Sequence, residues 1–230
     1  MPLHIGIVAC SAEGAALCYR TICLEGAALL GTHNHPEVSL HGIALAEYMK
    51  FIDTNDWAGV AQFMMCSAEK LARAGADFLI CPDNTIHQAF DLIEHRSPRP
   101  WLHIAREVAH EARHNHFHKL GILGTRYLME GPVYPQALDA SGIGYRTPRP
   151  EQRAKINQII FDELVNGQFR PESLAYFVSV IESLQREGCD AVVLGCTEIP
   201  LLVTAEASPL PILDSTRLLA RAALRKSIES

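Results

Sequence analysis

Short apolar runs alternate along the chain with longer segments in which apolar residues recur at helical spacing. The apolar runs cover residues 5–9, 77–81, 120–123 and 191–194. The longer segments cover residues 13–30, 57–74 and 172–186, and a further helix is predicted to begin near Met129. Strands that are apolar on both faces are typical of parallel sheets covered by helices. The pattern therefore predicts an α/β fold with parallel-sheet cores.

Two parts of this pattern match each other. Arg73-Ala-Gly-Ala-Asp77 and Arg186-Glu-Gly-Cys-Asp190 each join the end of a predicted helix to a predicted strand. In both, the glycine is followed eight residues later by a reactive side chain, Asp83 in one and Cys196 in the other. A second match joins Ile5-Gly-Ile-Val to Cys10-Ser11 and Leu120-Gly-Ile-Leu to Thr125-Arg126. Two matches in the same order favour an internal duplication.

The duplication predicts two pseudo-symmetric lobes. The first is placed at residues 1–98 together with a C-terminal helix at 214–230, and the second at residues 99–213. Prolines near residues 100 and 209–211 suit the two places where the chain passes from one predicted lobe to the other. Because ligands of parallel α/β sheets bind beyond the carboxyl ends of the strands, the active site is expected in the cleft between the lobes.

Composition narrows the choice of partner and compartment. The 230 residues are 48% hydrophobic and carry a formal net charge of -6, which argues against a nucleic-acid partner. No apolar run approaches the roughly 18 residues of a membrane span, and the start of the chain lacks the features of a signal peptide. The seven cysteines are odd in number and contain no CxxC pair. We therefore expect reduced thiols in a cytoplasmic protein.

Polar groups follow four of the predicted strands. They are Ser11, Asp83-Asn84-Thr85, Thr125-Arg126 and Cys196-Thr197-Glu198. Cys196 is predicted to precede a helix, whose N-terminus would stabilise a thiolate and bind anions. Asn84, Thr85 and Thr197 fit the binding of a carboxylate, although such residues are also ordinary helix caps. An inert buried cysteine is the alternative interpretation of Cys196.

Asp83 and Cys196 form a candidate acid–base pair. Racemisation needs one group to remove the α-proton and another to return it on the opposite face, while fixed donors hold the substrate carboxylate. An aspartate with an ordinary pKa of ~3.9 is a poor base for this proton. Burial and a neighbouring thiolate would make it a stronger one. The alternative is that Asp83 only caps a helix and Cys196 works alone.

At these residues the chain resembles the aspartate/glutamate racemase family, and the resemblance runs over nearly its whole length. The segments that carry it are Asn84-Thr85 with His87, Leu102-His-Ile-Ala105, Leu123-Gly-Thr-Arg-Tyr127, residues 153–161 and Gly195-Cys-Thr-Glu-Ile199. The resemblance implies two opposed catalytic groups, here Asp83 and Cys196, with neither pyridoxal phosphate nor a metal, and a homodimer. The substrate-binding residues expected from the resemblance and the strand ends are Ser11, Asn84, Thr85, Thr125, Thr197 and Glu198.

The sequence departs from the family pattern at several positions. Asp83 stands where the first catalytic residue is usually Cys or Thr, and Leu128 stands where Thr is common. Tyr48 stands near the place where some members keep a basic residue for a side-chain carboxylate, with Lys50 close by. Arg126 and Lys155 are the other candidates for that role. These departures leave the substrate side chain open.

Three functions are compatible with these residues. The first is a cofactor-independent racemase of an acidic or related amino acid. The second is a one-sided lyase, decarboxylase or isomerase of a small carboxylic acid, as in the arylmalonate decarboxylases. The third is a homologue that binds a small acid without turnover. The segment His110-Glu-Ala-Arg-His114 matches a zinc-protease pattern, but we interpret it as a solvated helix end and expect no metal.

Overall fold

Two four-stranded sheets organise residues 1–229, the part of the chain that the computed structural model describes, and every pair of neighbouring strands is parallel. The chain divides into two compact units. The first contains Met1–Glu107 and residues 216–229, and the second contains Val108–Ser215. The predicted α/β class with two parallel-sheet cores is confirmed.

The first unit contains a sheet of strand order β2-β1-β3-β4. Its strands are β1 (Ile5–Ala9), β2 (Val38–Gly42), β3 (Phe78–Ile80) and β4 (Trp101–Leu102). Its helices are α1 (Ala12–Leu30), α2 (Leu45–Ile52), α3 (Trp57–Arg73), a 3-10 helix (Thr85–Leu92) and the start of α4 (Ile104–His114). The predicted first lobe ends at residue 98. Because β4 pairs with β3, the unit in the structure extends beyond that residue. Ile5, Ile7 and Phe78 belong to its buried core.

The second unit repeats this topology with strand order β6-β5-β7-β8. Its strands are β5 (Lys119–Leu123), β6 (Gly144–Arg146), β7 (Ala191–Leu194) and β8 (Ile212–Asp214). Its helices are α5 (Arg126–Glu130), α6 (Val133–Asp139), α7 (Pro150–Asp162), a 3-10 helix (Leu164–Asn166), α8 (Pro171–Arg186) and α9 (Ile199–Leu202). The last helix, α10 (Ser215–Ile228), packs on the first sheet through Leu219 and Ala223. No helix within residues 1–229 is long and apolar enough to cross a membrane.

The repeated Arg-x-Gly-x-Asp motif performs the same structural task in both units. Gly75 and Gly188 follow the ends of α3 and α8 with φ values of +98° and +87°, in the left-handed region that glycine tolerates best. The Asp77 carboxylate then accepts a hydrogen bond from the His4 N–H at 2.8 Å. The Asp190 carboxylate accepts bonds from the N–H groups of His118 and Lys119, at 2.7 and 3.1 Å. The motif therefore ends a helix and ties the start of the third strand to the start of the first.

We expect Asp190→Asn to lower the free energy of unfolding by about 2 kcal/mol. The asparagine keeps one acceptor oxygen but turns an NH₂ group toward the second N–H, so one charge-assisted bond is lost. Urea unfolding followed by circular dichroism measures the change. Asp139→Asn, at an exposed position, is the control and should be neutral. Equal stability of the two variants would contradict this role for Asp190.

Candidate active site

The end of β1 holds the Asp83 carboxylate in the first unit. The N–H groups of Cys10 and Ser11 donate to its oxygens at 3.1–3.2 Å. Ser11 is also the N-cap of α1, since its hydroxyl accepts from the Gly14 N–H at 3.3 Å. The structure thus brings Ser11 and Asp83 together, as the meeting of strand ends predicts. Two backbone donors at the N-terminus of a 19-residue helix favour the ionised carboxylate.

His87 fixes the backbone at Asp83. Its Nδ1 lies 2.9 Å from the Asp83 carbonyl oxygen, and the Ile104 N–H lies 3.4 Å from its Nε2. A carbonyl can only accept and an amide N–H can only donate, so His87 is the neutral tautomer with its proton on Nδ1. Burial, aided by Arg106, lowers the pKa of His87 to about 4. The sequence singled out His87 only through the family resemblance, and nothing in the pattern predicted this contact.

His103 supports the same region from the start of α4. Its Nδ1 accepts from the N–H groups of Ala105 and Arg106, at 3.2 and 3.4 Å, and its ring lies edge-on to His87 with centroids 4.6 Å apart. Burial lowers the pKa of His103 to about 2, with further contributions from His87 and Arg106. Both imidazoles are therefore neutral acceptors that set the path of the chain after β3 and β4.

The two buried histidines make stability depend on pH. In the unfolded chain His87 takes up a proton below pH 6.5, whereas the folded protein keeps it neutral down to about pH 4. The unfolded state binds more protons in this window, so the free energy of unfolding falls as pH falls. For His87 alone the loss approaches about 3 kcal/mol at pH 4. Urea unfolding from pH 7 to pH 4 should show a shallower loss in His87→Gln than in the exposed control His114→Gln, and parallel curves would contradict the assignment.

Asn84 and Thr85 directly follow Asp83. Asn84 is buried and occupies the N-cap position of the 3-10 helix, but its side chain makes no capping bond. Only its carbonyl oxygen takes part, accepting from the His87 N–H at 3.2 Å. The sequence left two roles open for the Asn84 side chain, helix capping and substrate binding. Its amide group does not cap the helix.

In the second unit, the Cys196 thiol is hydrogen-bonded to a carboxylate. Its Sγ donates to Glu198 Oε2 at 2.9 Å, and the Thr197 hydroxyl donates to the same oxygen at 2.9 Å. Glu198 is buried, and Cys196 is partly exposed. A carboxylate beside the sulfur favours the neutral thiol, because a thiolate would face a like charge. Glu198 thus accepts a hydrogen bond from the thiol, a contact that the sequence did not predict.

The helix expected after Cys196 is α9, which has four residues and begins three residues later, at Ile199. So short a helix aligns few peptide dipoles. The helix dipole of α9 therefore stabilises a thiolate at Cys196 much less than the predicted helix directly after Cys196 would. The hydrogen bond to the Glu198 carboxylate acts on the sulfur directly.

Two glycines bring the ends of β5 and β7 close together. The Gly195 N–H donates to the Leu123 carbonyl at 2.7 Å, and a Cβ at Gly124 would lie 3.3 Å from the Gly195 oxygen. Leu128 packs over both glycines, since a Cβ at either would come within 2.6 Å of its Cδ2. Thr125 N-caps α5, accepting from the Leu128 N–H at 3.4 Å. This cap starts α5 at Arg126, three residues before the predicted start. The packing of Leu128 over the two glycines explains why an apolar side chain suits position 128.

The cationic candidates for a second substrate carboxylate lie on the surface. Arg126 is exposed, with its guanidinium 5.4 Å from the centre of the Tyr127 ring. Lys155 is exposed and donates to Gln158 at 3.3 Å, and Lys50 donates to Glu47 at 2.6 Å. A role for any of the three in binding a side-chain carboxylate stays a prediction.

The zinc-like segment lies on α4. His110 and His114 are exposed, and Glu111 accepts from the Asn115 amide at 2.9 Å. Within residues 1–229, no group of three or more His, Cys, Asp or Glu side chains is arranged to hold a metal ion. The segment fits the solvated helix end that its sequence favoured.

The fold and these strand ends define a duplicated parallel α/β protein with a titratable side chain after the third strand of each half. The chain belongs to the Asp/Glu/hydantoin racemase family, whose model matches residues 12–223.

Solved structures and a curated relative agree with this membership. A candidate Asp/Glu racemase from Yersinia pestis is similar with a TM-score of 0.92 and 32% identity, covering 98% of this chain and 99% of that one. An aspartate racemase homologue from Pyrococcus horikoshii OT3 has a TM-score of 0.87 and 26% identity, covering 99% and 100%. The broad specificity amino-acid racemase RacX of Bacillus subtilis (strain 168) is 27% identical over 154 residues, 67% of this chain and 66% of that protein. The match thus spans just under two thirds of this relative's length.

Proposed function

We propose that the protein is an amino-acid racemase that needs no cofactor and uses Asp83 and Cys196 as its two acid–base groups. The observation that carries the proposal is their equivalence. Each follows the third strand of a like-folded unit, and each is held by fixed partners: Asp83 by two backbone N–H groups and Cys196 by Glu198. Membership of the racemase family and the similarity to RacX support the same chemistry.

The proton transfers can be written for each enantiomer. In one direction the Asp83 carboxylate removes the α-proton, and the Cys196 thiol delivers its own proton to the opposite face and becomes a thiolate. In the other direction the Cys196 thiolate removes the proton and the Asp83 carboxylic acid returns one. To return to the first form, the Asp83 carboxylic acid releases its proton to solvent, and the Cys196 thiolate regains one from solvent through Glu198. The backbone donors at Asp83 stabilise its ionised form, so we expect abstraction by Asp83 to be the slower direction.

The remaining strand-end residues would orient the substrate. Asn84, Thr85 and Thr197 carry the short polar side chains that suit an α-carboxylate and an ammonium group, and Ser11 and Thr125 follow β1 and β5 at equivalent places. Fixed donors on the carboxylate stabilise the charge that develops when the α-proton leaves. The proposed substrate is thus recognised mainly through its α-amino acid group.

A direct test is to incubate the purified protein with single enantiomers of a panel of amino acids and to follow inversion by chiral chromatography. We expect inversion that survives exhaustive chelation and treatment with hydroxylamine, a carbonyl reagent that traps pyridoxal phosphate. Loss of activity under either treatment would contradict cofactor independence. Release of carbon dioxide or an amine without inversion would indicate the one-sided lyase, and thermal stabilisation by a small acid without turnover would indicate a binding protein.

We also propose that the protein is a cytoplasmic homodimer. All seven cysteines are free thiols, which suits a reducing compartment, and the family resemblance implies the dimer. Sedimentation equilibrium should give twice the 25.4 kDa of the chain. A mass of one chain at micromolar concentration would contradict the dimer.

A further inference from the structure

The first unit contains a largely apolar cavity next to Asp83. Its volume is about 650 Å³, and it is lined by the end of β1, the first turns of α1, the end of β2 and the start of α2. The walls combine small residues such as Ala15 and Ala44 with Leu40, Ile43 and the Tyr19 ring. None of the residues that line it carries a formal charge.

The cavity lies one hydrogen bond from a proposed acid–base group. Cys10 and Ser11 line it, and the N–H groups of these same two residues donate to the Asp83 carboxylate. A substrate whose α-carbon is within reach of Asp83 therefore has this cavity beside it. The side chain is the only part of an α-amino acid that is not already required for the proton transfer or for binding the α-carboxylate and ammonium.

The residues that line the cavity supply no cation for an acidic side chain. Tyr48 is fully buried and lies edge-on against Phe63, with ring centroids 5.4 Å apart. Burial raises the pKa of Tyr48 well above its ordinary value, so it carries no charge. The nearby Lys50 is exposed and paired with Glu47. A carboxylate placed against these walls would gain no counter-charge from them, whereas an aliphatic group would gain by covering apolar surface.

From this we infer that the cavity receives an uncharged, mainly apolar substrate side chain, so that the enzyme prefers amino acids such as leucine and methionine to aspartate and glutamate. This inference rests on the proposed racemase function and names its substrate class. The small residues of the wall leave room for a branched or a linear side chain of four heavy atoms.

The test compares kcat/KM for leucine and methionine with that for aspartate and glutamate in the wild type, Ala44→Arg and Ala46→Arg. Ala44, the N-cap residue of α2, lines the cavity and is exposed enough to accept a longer side chain, whereas Ala46, two residues further on, is exposed but does not line it. We expect the wild type to favour the apolar pair by at least about ten-fold. Ala44→Arg should reduce or reverse that preference, and Ala46→Arg should leave it unchanged.

A binding measurement separates failure of this inference from failure of the racemase function. Calorimetric titration with 4-methylpentanoate and glutarate, the unreactive analogues of leucine and glutamate, needs no turnover. If no amino acid is inverted but 4-methylpentanoate binds more tightly and Ala44→Arg shifts binding toward glutarate, the cavity assignment stands and the racemase proposal falls. Faster inversion of aspartate and glutamate, or tighter binding of glutarate by the wild type, would overturn the cavity assignment alone. A change in oligomeric state on Ala44→Arg without a change in preference would overturn it too, because the cavity would then belong to a subunit contact.

Discussion

Replacement of Cys196 by serine is expected to lower kcat/KM for racemisation by roughly 10³-fold with either enantiomer as substrate. A serine hydroxyl is a far weaker acid than a thiol, so it can neither supply the proton in one direction nor form the base in the other. Serine keeps a donor for Glu198, and the Thr197 bond to the same oxygen is untouched. Chiral chromatography of initial rates measures the effect, and thermal unfolding should change little.

Cys66→Ser is the matched control for this variant. Cys66 is an exposed free cysteine on α3, so its exchange for serine should leave both rate and stability unchanged. Full activity of Cys196→Ser beside full activity of Cys66→Ser would remove Cys196 from the mechanism. If Cys196→Ser loses activity only in proportion to its loss of folded protein, the role of Cys196 is structural.

Asp83→Asn is expected to reduce inversion by a similar factor, roughly 10³-fold, but to leave part of the chemistry intact. The amide has the size of the carboxylate and cannot accept the α-proton. Cys196 can still remove and return a proton on its own face, so one enantiomer should exchange its α-hydrogen with retained configuration. This split between exchange and inversion distinguishes a lost acid–base group from a general loss of the site.

The structural cost of Asp83→Asn must be measured beside its activity. Asparagine keeps one acceptor oxygen for the N–H groups of Cys10 and Ser11, so we expect a loss of stability of about 1–2 kcal/mol. Asp91→Asn changes an exposed carboxylate in the same unit and should leave rate and stability near the wild-type values. Wild-type rates of inversion in Asp83→Asn would show that the two-base assignment is wrong.

The central strands of both sheets could be predicted because burial on both faces makes their sequences continuously apolar. β1 and β7 occupy the predicted residues, and β5 begins one residue earlier. The outer strands gave no such pattern. β2 contains polar residues and is only partly buried, and β4 has two residues, too few for any periodicity. Their positions are set by pairing with a neighbour that is distant in the sequence.

The candidate acid–base groups could be found for a related reason. A duplication repeats the spacing from a helix-ending glycine to the strand end, and that spacing leads to Asp83 in one half and Cys196 in the other. Their partners could not be found this way. The donors to Asp83 come from residues 72 and 73 positions away, and the bond from Cys196 to Glu198 depends on how a short loop turns. The apolar cavity is likewise built from segments that are separate in the chain.

The central claim is that one enzyme moves a proton across the α-carbon with two groups, and racemisation in deuterated water tests it most directly. Each enantiomer of the best substrate is incubated separately, and deuterium at the α-carbon is measured by mass spectrometry in the substrate and in its mirror image after chiral separation. We expect the inverted product to carry one deuterium at the α-carbon from its first appearance, while the remaining substrate at early times is largely unlabelled. Deuterium that accumulates in the starting enantiomer without any inverted product, or inverted product that retains its original hydrogen, would contradict the two-group mechanism.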